Sequence, residues 1–160
     1  METNYRQLAE ELTTLADAAG SVEDLMSVFV GRLHERLRHF DWIGFYMIEK
    51  GLPGEDPVLV LGPYVGADTP HKRIPLHQGI CGAAASSGQT LVVDDVQADP
   101  RYLGCSVETR SEIVAPVRVK GKVVGELDID SHTPAAFGDE ERKLAEHCAD
   151  LVGSYLERIS

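Results

Sequence analysis

The chain has 160 residues, 43% hydrophobic and 26% charged, which allows a buried core without disulfide staples, and no apolar run approaches the roughly 20 residues of a membrane span. Its net charge of −11 leaves no basic excess for sequence-independent nucleic-acid binding or for an anionic membrane surface; it suits a cationic or zwitterionic ligand. Three widely spaced cysteines, Cys81, Cys105 and Cys148, do not make a disulfide framework, and with an N-terminus lacking basic and apolar leader regions they point to the cytoplasm.

From Tyr5 to Ala19 the apolar residues Leu8, Leu12, Leu15 and Ala19 recur at helical spacing. Gly20 ends this helix. Ser21 offers an N-cap for a second helix, with the stripe Leu25, Phe29, Leu33 and Leu37. Trp42 to Ile48 reads as a strand rich in aromatic and branched residues, followed by a loop over residues 50–57 and a strand from Val58 to Leu61. Residues 62–79 contain Pro63, Gly66, Pro70 and Pro75 and cannot be regular throughout. Gly79 to Gly88 reads as a short helix closed by glycine, and Leu91 to Val93 as a short strand. A second long loop runs from Val96 to Cys105. Strands from Ile113 to Val119 and from Lys122 to Asp130 meet at a tight turn, Lys120-Gly121. Asp139 opens the last helix, with the stripe Leu144, Cys148, Leu151, Tyr155 and Ile159. This order predicts a single α+β domain over residues 1–160. Its sheet is mostly antiparallel, with the two N-terminal helices and the C-terminal helix packed on one side. Long irregular stretches in a compact domain usually carry function.

In Val123-Val124-Gly125-Glu126-Leu127-Asp128-Ile129-Asp130 alternation places Val123, Leu127 and Ile129 on one face and Glu126, Asp128 and Asp130 on the other. The plainer reading is a half-buried strand with a wet acidic face. The other is a carboxylate cluster awaiting an ammonium or a metal. A hairpin turning at Lys120-Gly121 brings Glu112 near Asp128 and Asp130, so three carboxylates can meet at one rim.

Cys148 lies on the apolar stripe of the last helix, where a free cysteine is core filling. Cys81 lies in the first turn of a short helix, where the dipole favours a thiolate, though packing accounts for it equally well. Cys105 sits in a polar loop just before the strand carrying Glu112, a setting for a reactive thiol. His71, His77, Cys81 and Cys105 match no common zinc spacing, so no metal is expected. Nucleotide-binding and serine-hydrolase motifs are absent.

Over almost its whole length the chain resembles a GAF domain, and several segments resemble the free methionine-(R)-sulfoxide reductases within that class. These are Asp41-Trp42-Ile43-Gly44-Phe45-Tyr46, Leu59 through Tyr64, Arg73-Ile74-Pro75 with Gly79-Ile80-Cys81-Gly82, Cys105 ahead of Arg110-Ser111-Glu112-Ile113-Val114, and Gly125 through Ser131. The resemblance implies that Cys105 is the catalytic cysteine and Cys81 a resolving cysteine. It also implies that Glu112, Asp128 and Asp130 surround the substrate, with Trp42 and Tyr46 walling its pocket. The family's other resolving cysteine stands two residues before Arg-Ile-Pro, where this chain has His71.

In such an enzyme a thiolate attacks the sulfoxide sulfur and Glu112 serves as general acid. Asp128 and Asp130 hold the α-ammonium that a peptide-bound residue lacks. Cys105 passes through a sulfenic acid to a disulfide. The expected reductant is thioredoxin-like and NADPH-coupled, with no bound cofactor, and a second copy of the chain is an expected partner. The alternatives are a non-catalytic small-molecule sensor or dimerisation module, and a thiol peroxidase-like scavenger.

Overall fold

The computed structural model describes residues 3–104 and 107–160. Helix α1 (Tyr5–Ala18) is opened by Asn4, whose side chain accepts the Gln7 N–H, and α2 (Val22–Arg36) by Ser21, which accepts the Asp24 N–H. Each cap satisfies a backbone donor that a helix start otherwise leaves orphaned. Six strands follow: β1 (Trp42–Glu49), β2 (Val58–Val65), β3 (Arg73–Pro75), β4 (Leu91–Val93), β5 (Ser111–Val119) and β6 (Lys122–Ser131). They form one sheet in the order β3-β2-β1-β6-β5-β4, antiparallel at every pairing. Helix α3 (Gly79–Ser87) lies between β3 and β4 in the chain, and α4 (Asp139–Ile159) closes the fold.

The expected one-sided packing of α1, α2 and α4 is present. Leu12, Phe29 and Leu33 from the helices meet Ile43, Phe45, Ile113, Leu127 and Ile129 from the sheet in one buried core. Each such fully buried side chain contributes about 1.5–3 kcal/mol relative to exposure. The opposite face is also covered. There Ile80 and Ala84 of α3 pack with Tyr46, Leu59, Ile74 and Val114 in a second, smaller core.

The β5–β6 hairpin turns at Lys120-Gly121, both with positive φ (52° and 79°), the twist that suits a two-residue connection. Several local features differ from expectation, among them β2, which runs four residues past Leu61 to Val65. β3 emerges from the proline-rich stretch, where three residues add to the edge of β2. The register slips from Val117↔Gly125 to Arg118↔Val123, making Val124 an extra residue. Val124 then packs into the helix-side core, while Val123 turns to Gly88 at the end of α3, so Val123 does not share the face of Leu127 and Ile129. Along α4, Ile159 is 62% exposed and Val152 is buried in its stead. Among the described residues no helix is long and apolar enough to cross a membrane.

Candidate active site

Strand register assembles the site. β5 and β6 pair Glu112 with Asp130, and β1 and β6 pair Trp42 with Asp130, Gly44 with Asp128 and Tyr46 with Glu126. Alternation then points Trp42, Tyr46, Glu112, Glu126, Asp128 and Asp130 to the face covered by α3. Gly44 matters because a Cβ there would lie 2.4 Å from Cη2 of Trp42. Its absence lets the indole fold across the strand, where it stacks on Tyr64 with centroids 5.7 Å apart. Trp42 Nε1 donates to the Ala67 carbonyl (3.0 Å) and Tyr46 Oη to the His71 carbonyl (2.7 Å), which ties both aromatic walls to the loop after β2.

The acidic face is not wet. Glu112, Glu126, Asp128 and Asp130 are 5%, 0%, 5% and 6% exposed, because α3 and the loops flanking it close over them. Both oxygens of Glu126 and Oδ1 of Asp128 and of Asp130 have no hydrogen-bond partner. Ionised carboxylates in such a place are costly, so the acid form is favoured. Burial, then the charges of Asp128 and Asp130, raises Glu112 well above the usual carboxyl range. Burial and then Asp128 do the same to Glu126 and Asp130. Burial also raises Asp128, while hydrogen bonds from Glu112 and Cys81 pull it back. Burial thus disfavours the charged form of all four.

Cys81 joins this set from the first turn of α3, its Sγ donating to Asp128 Oδ2 at 3.3 Å. The thiolate expected from the helix dipole is not what the structure favours. Burial pushes the thiol well up, and the charges of Asp128, Glu126 and Glu112 push further. A dipole supplies about 0.3–1 kcal/mol, up to about 2 in favourable sites, whereas full burial shifts a pKa by up to about 3–5 units, each worth about 1.4 kcal/mol.

Two cavities open onto the group. The larger, about 110 Å³, is lined by residues including Trp42, Tyr46, Thr69, Asp128, Asp130 and His132. The smaller, about 20 Å³, is lined by residues including Cys81, Glu112, Asp128, Tyr102 and Leu103.

Cys105 lies outside the described residues. The chain on either side of it borders the site, Tyr102 and Leu103 at the small cavity and Glu108 and Thr109 at the large one. Gly79 makes room for this approach: its φ is 70°, and a Cβ would meet the Leu103 side chain at 2.9 Å. His71 is half-buried and its N–H donates to Thr69 Oγ1 (3.1 Å), while His77 is exposed. Neither histidine joins Cys81, which instead groups with Glu112 and Asp128. Cys148 is fully buried in the helix-side core, and burial pushes its thiol up to about 12.

Sequence reasoning did not single out Asp41 and His132 as site residues. The His132 N–H donates to Asp41 Oδ2 (2.7 Å), and its ring lies 3.6 Å from both Asp41 and Glu108 at the mouth of the large cavity. The signal lies in the strand pairing. Trp42 opposite Asp130 puts the residue before the first beside the residues after the second.

Residues 2–156 match the family model described as GAF domain. Protein YtsP of Bacillus subtilis is 39% identical over 152 residues, 94% of this chain and 90% of that protein. The free methionine-R-sulfoxide reductase of Escherichia coli is 39% identical over 111 residues, 69% of this chain and 63% of that protein. Among solved structures, the free methionine-R-sulfoxide reductase from Neisseria meningitidis, in complex with its substrate, matches with a TM-score of 0.89 at 28% identity, covering 99% of this chain and 95% of that one.

Proposed function

This chain belongs to the GAF domain family, and we propose that it is a thiol-dependent reductase converting free L-methionine-(R)-sulfoxide to L-methionine. The observation that carries this reading is the buried acid cluster at the base of an aromatic-walled cavity. Glu112, whose acid form burial favours, stands there beside Asp128 and Asp130, each with an oxygen that has no hydrogen-bond partner among the described residues. The similarity to named reductases supports the same reading.

The α-ammonium of the substrate supplies a cation, and Asp128 and Asp130 ionise to hold it. A peptide-bound residue brings no ammonium and leaves the buried acids unpaired, which excludes it. Trp42 and Tyr46 wall the side chain. The Cys105 thiolate, in the role its sequence context implies, attacks the sulfoxide sulfur. Glu112 delivers a proton to the sulfoxide oxygen as that oxygen passes to the cysteine sulfur, giving methionine and a Cys105 sulfenic acid. Cys81 then attacks that sulfur. Its proton leaves with the sulfenic hydroxyl as water, and a Cys81–Cys105 disulfide forms. A thioredoxin-like dithiol, kept reduced by NADPH in the cytoplasm, restores both thiols. Asp128, already accepting the Cys81 S–H, is placed to pass that proton to the leaving hydroxyl.

The test is NADPH oxidation coupled through thioredoxin. Turnover is expected with the free R epimer and not with the S epimer or N-acetylmethionine sulfoxide. Equal rates on the N-acetylated compound would remove the ammonium argument. No turnover with either free epimer would favour a non-catalytic sensor.

A further inference from the structure

We propose that Cys81, Glu112 and Asp128 form a binding site for one divalent cation of the Zn²⁺ class. The Cys81 Sγ and one carboxylate oxygen from each acid lie within 4.8 Å of one another, and all three residues are buried. Zn²⁺ takes thiolate sulfur at about 2.3 Å and carboxylate oxygen at about 2.0–2.2 Å in tetrahedral sites, so its ligand atoms stand roughly 3.5 Å apart. Closing even a 4.8 Å separation to that spacing takes a movement of about 1.3 Å. A sulfur among the donors disfavours Mg²⁺ and Ca²⁺, which demand oxygen.

Two independent observations point to a guest. The same three side chains line the 20 Å³ cavity, room for a single atom-sized occupant. Acceptors also go unused: Asp128, one of the lining residues, has no partner at Oδ1, and behind it neither oxygen of the wholly buried Glu126, itself outside the lining, is hydrogen-bonded. No lysine or arginine among the described residues lines either cavity. The group must therefore keep protons or import a cation. The substrate ammonium approaches Asp128 and Asp130 from the large cavity. The metal fits the small one, where sulfur is a ligand and ammonium gains nothing from it.

Binding replaces the Cys81 S–H bond by a sulfur–zinc bond, and that proton and those held by the two carboxyls are released to solvent. If the proposed reductase function holds, zinc also occupies the proton donor Glu112 and the resolving thiol, and turnover stops until the metal is removed.

The metal-free, reduced full-length chain is titrated with Zn²⁺ against a chromophoric chelator and with Co²⁺, whose bond to a thiolate gives a near-ultraviolet charge-transfer absorption. One Zn²⁺ per chain is expected, displacing Co²⁺. The cobalt–thiolate absorption is expected to persist in Cys148→Ala and in Cys105→Ser and to vanish in Cys81→Ser. Zinc affinity is expected to fall at least tenfold in Glu112→Gln. A wild-type chain with no thiolate–cobalt absorption overturns the proposal, and it needs no variant to fold. Absorption that survives Cys81→Ser, or that follows Cys105, overturns it equally. None of these readouts depends on reductase activity, so an inactive chain that binds zinc through Cys81 rejects the enzymatic reading alone.

Discussion

A carboxyl that donates a proton near neutral pH needs its acid form stabilised. Glu112 has this from burial and from two neighbouring acids. In the proposed reaction Asp130 has a different task, which is to become charged when the ammonium arrives. The two substitutions therefore separate. Glu112→Gln is expected to lower kcat by about 10²–10⁴, the usual contribution of a positioned acid, with KM changed by no more than a few-fold. Asp130→Asn is expected to raise KM roughly tenfold or more, because it removes a full charge from a buried ion pair. Steady-state kinetics on free methionine-(R)-sulfoxide distinguish them. A Glu112→Gln enzyme that loses only KM would mean that this residue binds and another group donates the proton.

At the scale of elements, α3 decides what the acids are. The alternation along β6 and the turn at Lys120-Gly121 are local signals, and together they suffice to place Glu112 near Asp130, its partner in the β5–β6 ladder. Whether that face is wet or buried is set by a helix about 25–50 residues away in the chain, and no local pattern carries it. Glu126 is therefore legible in the sequence as a member of the acidic face but not as a wholly buried orphan. β3 is hidden for a different reason: three residues between prolines show no period, and only their pairing with β2 makes them a strand. The bulge at Val124 likewise breaks the alternation that would put Val123 beside Leu127. Cys81 departs from the dipole expectation because the sheet brings three carboxylates to the start of its helix, and nothing near Cys81 in the chain announces them.

These carboxylates bear on the resolving step. Cys81 starts as a thiol held by Asp128, and the chain just before Cys105 packs at the head of α3 through Leu103 and Gly79. With His71 where the family's other resolving cysteine would stand, Cys81 is the thiol we assign to the disulfide. One turnover without reductant is expected to leave a Cys81–Cys105 disulfide, found by peptide mapping under non-reducing conditions. Cys81→Ser is expected to release about one methionine per chain and then stall, the single equivalent that one oxidisable cysteine supplies. Both thiols free after substrate treatment of the wild type, or a Cys105–Cys148 pairing, would contradict this route.

Across the whole molecule, the buried acids make stability depend on pH in an unusual direction. In the unfolded chain these carboxyls ionise near about pH 4. In the native fold burial raises all four, with Glu112, Glu126 and Asp130 raised well above that value. Below about pH 4 both states are protonated and the groups' full contribution is present. As pH rises, the unfolded chain gives up protons that the native chain keeps, so unfolding becomes easier until the native groups themselves ionise. While the two states differ by one proton, each group weakens the fold by about 1.4 kcal/mol per pH unit.

The melting temperature of the ligand-free chain in metal-free buffer is therefore expected to fall between pH 5 and pH 8. Glu126 isolates the effect, since its carboxylate has no partner to lose. Glu126→Gln, which cannot ionise, is expected to stay close to the wild type near pH 5 and to exceed its stability by up to about 4 kcal/mol at pH 8, about 1.4 kcal/mol for each pH unit over which only the unfolded wild type has lost the proton. Urea unfolding at the two pH values measures the difference. A variant that tracks the wild type at both would mean that the Glu126 carboxylate is satisfied in solution, and the import of a cation to this end of the cluster would have lost its motive.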